Sequence, residues 1–118
     1  FNHQYAISKL KSEGYKLAVC SNSIRKSVEM MIDQAGLAEY FDFYVSNEDV
    51  KIGKPNPEMY QLAIKKMKLN PQECLILEDN EHGIKAALAS GGNLLKIGEV
   101  NDVNYLNIKN RILELEKK

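Results

Sequence analysis

The sequence predicts an α/β domain built on a doubly wound parallel sheet. Four short apolar runs, each too brief to be a helix, alternate with stretches of helical periodicity. The runs are almost continuously apolar, as in strands buried on both faces, and the joins between runs and helices carry capping residues, Gly or Pro. Strands alternating with helices give a parallel sheet covered on both sides, and right-handed crossovers restrict the connections to the doubly wound type. With 118 residues the chain has room for one core and one domain.

Phe1 to Glu13 reads as an amphipathic helix with Tyr5, Ala6, Ile7 and Leu10 on its apolar side and Gly14 as its stop. Tyr15 to Cys20 is the first strand. Ser21, Asn22 and Ser23 can each cap the next helix, whose apolar positions are Ile24, Val28, Met31, Ile32 and Ala35 and which Gly36 ends. Phe43–Val45 is the second strand, and a polar loop from Asn47 to Pro55 follows. Asn56-Pro57-Glu58 then supplies a cap, a Pro suited to the first helical position and an acid in the first turn. Met59, Leu62, Ala63, Ile64 and Met67 form the inward side of that helix, which Asn70-Pro71 breaks. Cys74–Leu77 is the third strand, running into Glu78-Asp79-Asn80. The next helix carries Ile84, Ala87 and Leu88 on one face and stops at Gly91-Gly92. Leu94–Ile97 is the fourth strand, and a closing helix follows Asp102.

Sixteen basic and sixteen acidic residues give a formal net charge of zero, so no global field draws the chain to nucleic acid or an anionic membrane. Its apolar runs are too short to span a bilayer. Apolar and charged fractions of 44% and 27% are those of a folded domain, not a disordered one. The two cysteines, far apart and each inside an apolar stretch, imply no disulfide framework, and the expected setting is reduced and cytoplasmic. The chain starts at Phe1 in polar helix, with no signal-peptide pattern, and reads as a piece cut from a longer product.

In an open parallel sheet, ligands bind beyond the carboxyl ends of the strands. Ser21-Asn22-Ser23 follow the first strand, where free N–H groups and a positive helix end suit an anion; an ordinary N-cap is the competing reading. Glu78 and Asp79 follow the third strand. Adjacent carboxylates repel, and a hard divalent cation such as Mg²⁺ would account for them; so would an acidic first helical turn. Lys54 stands in Gly53-Lys54-Pro55-Asn56-Pro57, where Pro55 holds it extended and Pro57 starts the helix, although Lys-Pro pairs also occur in plain loops.

Taken together, Val19–Ser23, Gly53–Pro57 and Leu75–Gly83 resemble the second, third and fourth motifs of haloacid dehalogenase-like hydrolases, in the same order and with fitting spacing. The likeness runs from about Gly14 to Ile97 and is nearest to the branch of phosphoglycolate phosphatases, sugar-phosphate phosphatases and β-phosphoglucomutases. It implies that Ser21 hydrogen-bonds a phosphoryl oxygen, helped by the backbone of Asn22, and that Lys54 neutralises charge on the phosphoryl group and nucleophile. It implies that Asp79 binds Mg²⁺, that Glu78 does so directly or through water, and that Asn80 supports them from behind. Gly83 would let its helix approach the sheet closely. The implied substrate is a small phosphorylated metabolite.

Members of that family attack phosphorus with an aspartate of an Asp-x-Asp motif, forming an aspartyl-phosphate. Asp33, Asp42, Asp49, Asp79 and Asp102 are the aspartates of this chain, and none stands in that pattern. The nucleophile strand and the cap that follows it are therefore expected upstream of Phe1, and the isolated chain is expected to be inactive. A non-catalytic, phosphate-binding or regulatory relic of the fold is the alternative. A phosphoacceptor receiver domain is disfavoured because Lys54-Pro55 precedes Glu78-Asp79, the reverse of its order. The expected strand order is two, one, three, four. The absent strand would leave a gap between strands one and three, expected to be removed by direct pairing, self-association or pairing with the missing N-terminal segment, with an open gap least expected. Cys20, Cys74 and the methionines Met30, Met31, Met59 and Met67 read as core, and His82 as a half-exposed first-turn residue.

Overall fold

The computed structural model describes residues 2–117; Phe1, which the sequence analysis assigns to the first helix, lies outside the described residues, as does Lys118. Helix α1 (Asn2–Ser12) leads into strand β1 (Ala18–Cys20), followed by α2 (Arg25–Gln34), β2 (Phe43–Val45), α3 (Glu58–Met67), β3 (Leu75–Glu78), α4 (Glu81–Ser90), β4 (Asn93–Lys96) and α5 (Tyr105–Glu116). Four parallel strands thus alternate with helices, as the apolar runs predict.

The start of one helix is met by a residue distant in sequence. None of Ser21, Asn22 or Ser23 caps α2; its cap position is Ile24, and the Arg25 N–H donates to the Glu48 carboxylate at 2.7 Å. The cap position of α3 is Pro57, one residue later than expected, although the Asn56 side-chain oxygen still accepts from the Glu58 N–H at 2.9 Å. Asn80 caps α4 by accepting from the Gly83 N–H at 2.9 Å. The inward stripe of α2 is narrower than its apolar residues suggest. Val28 and Ile32 are buried, while Met30 and Met31 are 51% and 52% exposed. These two methionines are not core; Met59 is fully buried and Met67 half-buried.

The expected strand order meets one correction. β1 pairs with β2 and β3 with β4, both in parallel, but they form two separate two-stranded sheets: β1 and β3 do not pair directly. Parity along the strands shows what faces the gap. Ser21 N–H donates to Val45 O and Leu17 O accepts from Asp42 N–H, so odd-numbered residues of β1 turn their backbone groups toward β2 and Ala18 and Cys20 turn theirs away. Cys74 O and Glu78 O accept from Asn93 and Ile97 N–H, so Leu75 and Leu77 turn theirs away from β4. The gap between strands one and three is thus open, the outcome least expected from the sequence: an apolar cleft of about 740 Å³ runs between the halves, lined by Val19 and Leu77 of the strands, Ala63 of α3 and Ile108 of α5.

Helix α3 keeps the halves in one body. Met59 and Ala63 pack in the cluster around Val45, whereas Tyr60 packs with Ile76, Ala86 and Ala87; Cys20 touches both clusters. Direct closure would drive β1 and β3 into the space that these helical side chains border and would displace the Lys54 head group described below.

Candidate functional site

The carboxyl ends of β1 and β3 and the loop entering α3 meet at the head of the cleft. Lys54 joins them. Its Nζ donates to the cleft-facing carbonyl of Cys20 at 2.9 Å and to Oε2 of Glu78 at 2.7 Å, and it stands 4.9 Å from the centre of the Tyr60 ring. Burying an ammonium or a carboxylate alone is costly, and here each offsets the other. The Tyr60 hydroxyl donates to the same Glu78 oxygen. Burial, reinforced by the hydrogen bond to Glu78, pushes the Tyr60 phenol far above its ordinary range, so it remains a donor at neutral pH. Burial likewise pushes the Cys20 thiol up to about 12, although Lys54 opposes part of the rise. Cys20 therefore stays a thiol, in keeping with its reading as a small core residue rather than a nucleophile.

Glu78 and Asp79 part company. Consecutive residues leaving a strand point to opposite sides, which relieves their repulsion. Glu78 turns inward and is 7% exposed. The first turn of α4 lies directly over it, since a Cβ at Gly83 would stand 2.0 Å from Glu78 Oε1. The close approach anticipated for Gly83 is thus made onto this carboxylate. Asp79 is exposed, and its Oδ1 accepts from the Asn80 side-chain amide at 3.2 Å. Asn80 therefore has two tasks, capping α4 and meeting Asp79.

Ser21 follows β1. Its Oγ accepts from the Ser23 N–H at 3.2 Å, which leaves the hydroxyl proton available as a donor. The Asn22 side chain turns instead to the Lys54 backbone: Oδ1 accepts from its N–H at 2.9 Å and Nδ2 donates to its carbonyl at 3.2 Å. Direct bonds thus connect Asn22, Lys54 and Glu78, while Ser21 and Asp79 adjoin that network through their chain neighbours.

Sequence reasoning missed Tyr60. Its signal lay in the spacing of Tyr60, Ile64 and Met67 along α3 and in the need of a buried phenol for a partner. Of the adjacent pair, Asp79 alone turns outward to meet a divalent cation, because Glu78 is engaged by Lys54 and Tyr60. Among the described residues no three His, Cys, Asp or Glu side chains gather to hold a metal. The residues fit Mg²⁺ as part of a ligand set that substrate oxygens and other groups must complete.

A family model described as haloacid dehalogenase-like hydrolase matches residues 2–97. The chain is 35% identical over 101 residues to the bifunctional riboflavin kinase/FMN phosphatase of Arabidopsis thaliana, covering 85% of this chain and 27% of that protein. It is 35% identical over 85 residues to the pyrophosphatase PpaX of Bacillus thuringiensis, covering 72% and 39%. A Thermotoga maritima structure assigned as a β-phosphoglucomutase superposes with a TM-score of 0.79 at 28% identity, covering 97% of this chain and 51% of that one. The chain therefore spans about half or less of the length of these relatives. Among its described residues no helix is long and apolar enough to cross a membrane.

Proposed function

This chain belongs to the haloacid dehalogenase-like hydrolases, in the branch of β-phosphoglucomutases and phosphoglycolate phosphatases, and from that premise we propose that residues 1–118 are part of the core domain of a Mg²⁺-dependent phosphatase or phosphomutase. The substrate class is a small phosphorylated metabolite. The observation that carries this reading is the Lys54 ammonium, fixed between the carbonyl ending β1 and the carboxylate ending β3. Phosphoryl transfer depends mainly on positioning and on stabilising charge spread over the phosphoryl oxygens. A cation held still by three neighbours is suited to that.

In this reading the Ser21 hydroxyl donates to a phosphoryl oxygen, assisted by the backbone N–H of Asn22, and Lys54 neutralises charge on the phosphoryl group. Asp79 is the direct carboxylate ligand of Mg²⁺, which would offset charge on the transferring group. Glu78, already holding Lys54, reaches the ion through water, and Asn80 steadies Asp79. The attacking carboxylate is supplied by an Asp-x-Asp segment outside this chain. It enters as a strand between β1 and β3, where the cleft offers backbone groups on both walls. Alone, the chain is inactive.

The test is hydrolysis of p-nitrophenyl phosphate with Mg²⁺ by the chain alone and after mixing with a separate Asp-x-Asp segment from a relative. The expected result is no turnover alone and turnover with the segment, abolished by Asp79→Ala and by Lys54→Met. Turnover by the chain alone that Asp79→Ala removes would overturn the account of the nucleophile. Failure of the mixture, together with failure of the chain to bind inorganic phosphate, would overturn the whole reading.

A further inference from the structure

Asn22 lies on the exposed loop after β1, yet its side chain does not face solvent as a free amide. It makes both hydrogen bonds that a neighbouring strand would offer one residue, taking the N–H of Lys54 at 2.9 Å and giving to its carbonyl at 3.2 Å. We propose that Asn22 is a positioning residue whose side-chain amide fixes the Lys54 backbone, and so sets where the ammonium stands between Cys20 and Glu78. This is distinct from the phosphate contact assigned to the Asn22 backbone, and its purpose rests on the phosphoryl-transfer reading.

The neighbouring glycine fits the same contact. Gly53 precedes Lys54, and a Cβ there would stand 2.6 Å from Asn22 Oδ1. The φ of Gly53 lies outside the left-handed region, so its backbone does not demand glycine. The space a side chain would need is occupied by the amide oxygen that accepts from Lys54. A side chain at position 53 would push that amide off Lys54. The lysine is thereby held twice, at its backbone by Asn22 and at its head by Cys20 and Glu78, which removes most of the freedom a long side chain otherwise keeps.

The prediction is read on Lys54 itself in ¹⁵N-labelled 118-residue chain, through its amide exchange rate and its side-chain ammonium resonance, with inorganic phosphate as the binding probe. Asn22→Ala should speed Lys54 amide exchange by about five- to tenfold, the size expected for the loss of one or two ordinary hydrogen bonds, and broaden the ammonium signal. Asn22→Asp keeps the acceptor for the Lys54 N–H and should fall between Asn22→Ala and the parent. Gly53→Ala should reproduce the Asn22→Ala effect and add nothing to it in the double variant, since both act through one contact. Asn104→Ala is the control: Asn104 makes a similar pair of bonds, to Asn107 N–H and Asn101 O, at the start of α5. Lys54 signals unchanged in Asn22→Ala, or equally changed in Asn104→Ala, would overturn the proposal. If the parent chain ignores phosphate and gains no turnover from an added Asp-x-Asp segment while Asn22→Ala still releases Lys54, the clamp stands and the phosphoryl-transfer reading falls.

Discussion

The Lys54 ammonium stands 2.7 Å from Oε2 of Glu78, with the two side chains 12% and 7% exposed. Lys54 enters from the loop before α3, and Glu78 is the last residue of β3, so this one pair ties elements that the backbone ladders leave apart. Tyr60 donates to the same carboxylate oxygen from α3. A charged pair withdrawn from water in this way is weak evidence of net stabilisation, but stranding either member is costly.

Removing one member should therefore cost more than removing both. Glu78→Leu strands a buried ammonium and is expected to lower stability by about 3 kcal/mol, the lower end of the range for breaking buried pairs because a little solvent reaches Lys54. Lys54→Met with Glu78→Leu should cost clearly less than the sum of the single changes. Urea unfolding of the four proteins gives the coupling. Additive losses would mean that the pair is not a unit.

Gly83→Ala should act through Glu78. Its methyl would fall 2.0 Å from Oε1, and Glu78 cannot swing aside without losing Lys54 and Tyr60. Overpacking of this kind costs about 1–3 kcal/mol. In a Glu78→Ala background the same substitution should cost almost nothing, because the obstructing atoms are gone; thermal unfolding of the single and double variants measures the difference.

The parts of this fold legible in the sequence are those that depend on local pattern. The apolar runs at Ala18–Cys20, Phe43–Val45, Leu75–Leu77 and Leu94–Leu95 lie in the four strands, because parallel strands packed on both faces are mostly apolar. Lys54, Glu78 and Asp79 could be singled out because each sits at a strand end or on a stiff loop. What each side chain touches was not legible. Whether Glu78 turns inward depends on Gly83 leaving it room, and Asn22 reaches Lys54 only because the folded chain brings their loops together. The exposed Met30 and Met31 show the converse limit: apolar residues on a helix do not say how wide its covered face is.

Two surface aspartates should shape the acid limb of stability. Lys11, at 2.6 Å, and then the Leu17 N–H hold Asp42 below the usual carboxylate range. For Asp49 the Ser46 N–H is the leading cause, with Arg25 adding to it. A carboxylate with a depressed folded value stabilises the fold above its unfolded value and loses that contribution as pH falls through the folded one. Stability should thus decline as pH drops below about 4, the unfolded carboxylate value. Asp42→Asn and Asp49→Asn should each flatten that decline while lowering stability near pH 7. Both sites are open to water, so added salt should shrink the contribution of the Lys11 and Arg25 ion pairs. Urea midpoints followed between pH 2 and pH 7, at low and high salt, check the sign.

The open cleft makes the most specific prediction, since parity divides the amides on its walls into two sets. Val19 and Ser21 direct their N–H groups toward β2, and Ile76 and Glu78 toward β4, so these should exchange slowly in the chain alone. Ala18, Cys20, Leu75 and Leu77 face the cleft and should exchange much faster, although they lie in the same strands. An unpaired edge of this kind recruits strands, and it is here doubled and lined with apolar side chains. An added Asp-x-Asp segment that enters as a strand should slow all four fast amides together and leave the other four unchanged. Its arrival should also stabilise the chain in proportion to its concentration. Self-association would slow the same four amides without any added segment, in step with growth of the particle in light scattering. Uniform protection along both strands in a monomer would mean that β1 and β3 close on each other in solution, and the account of an entering strand would then fail.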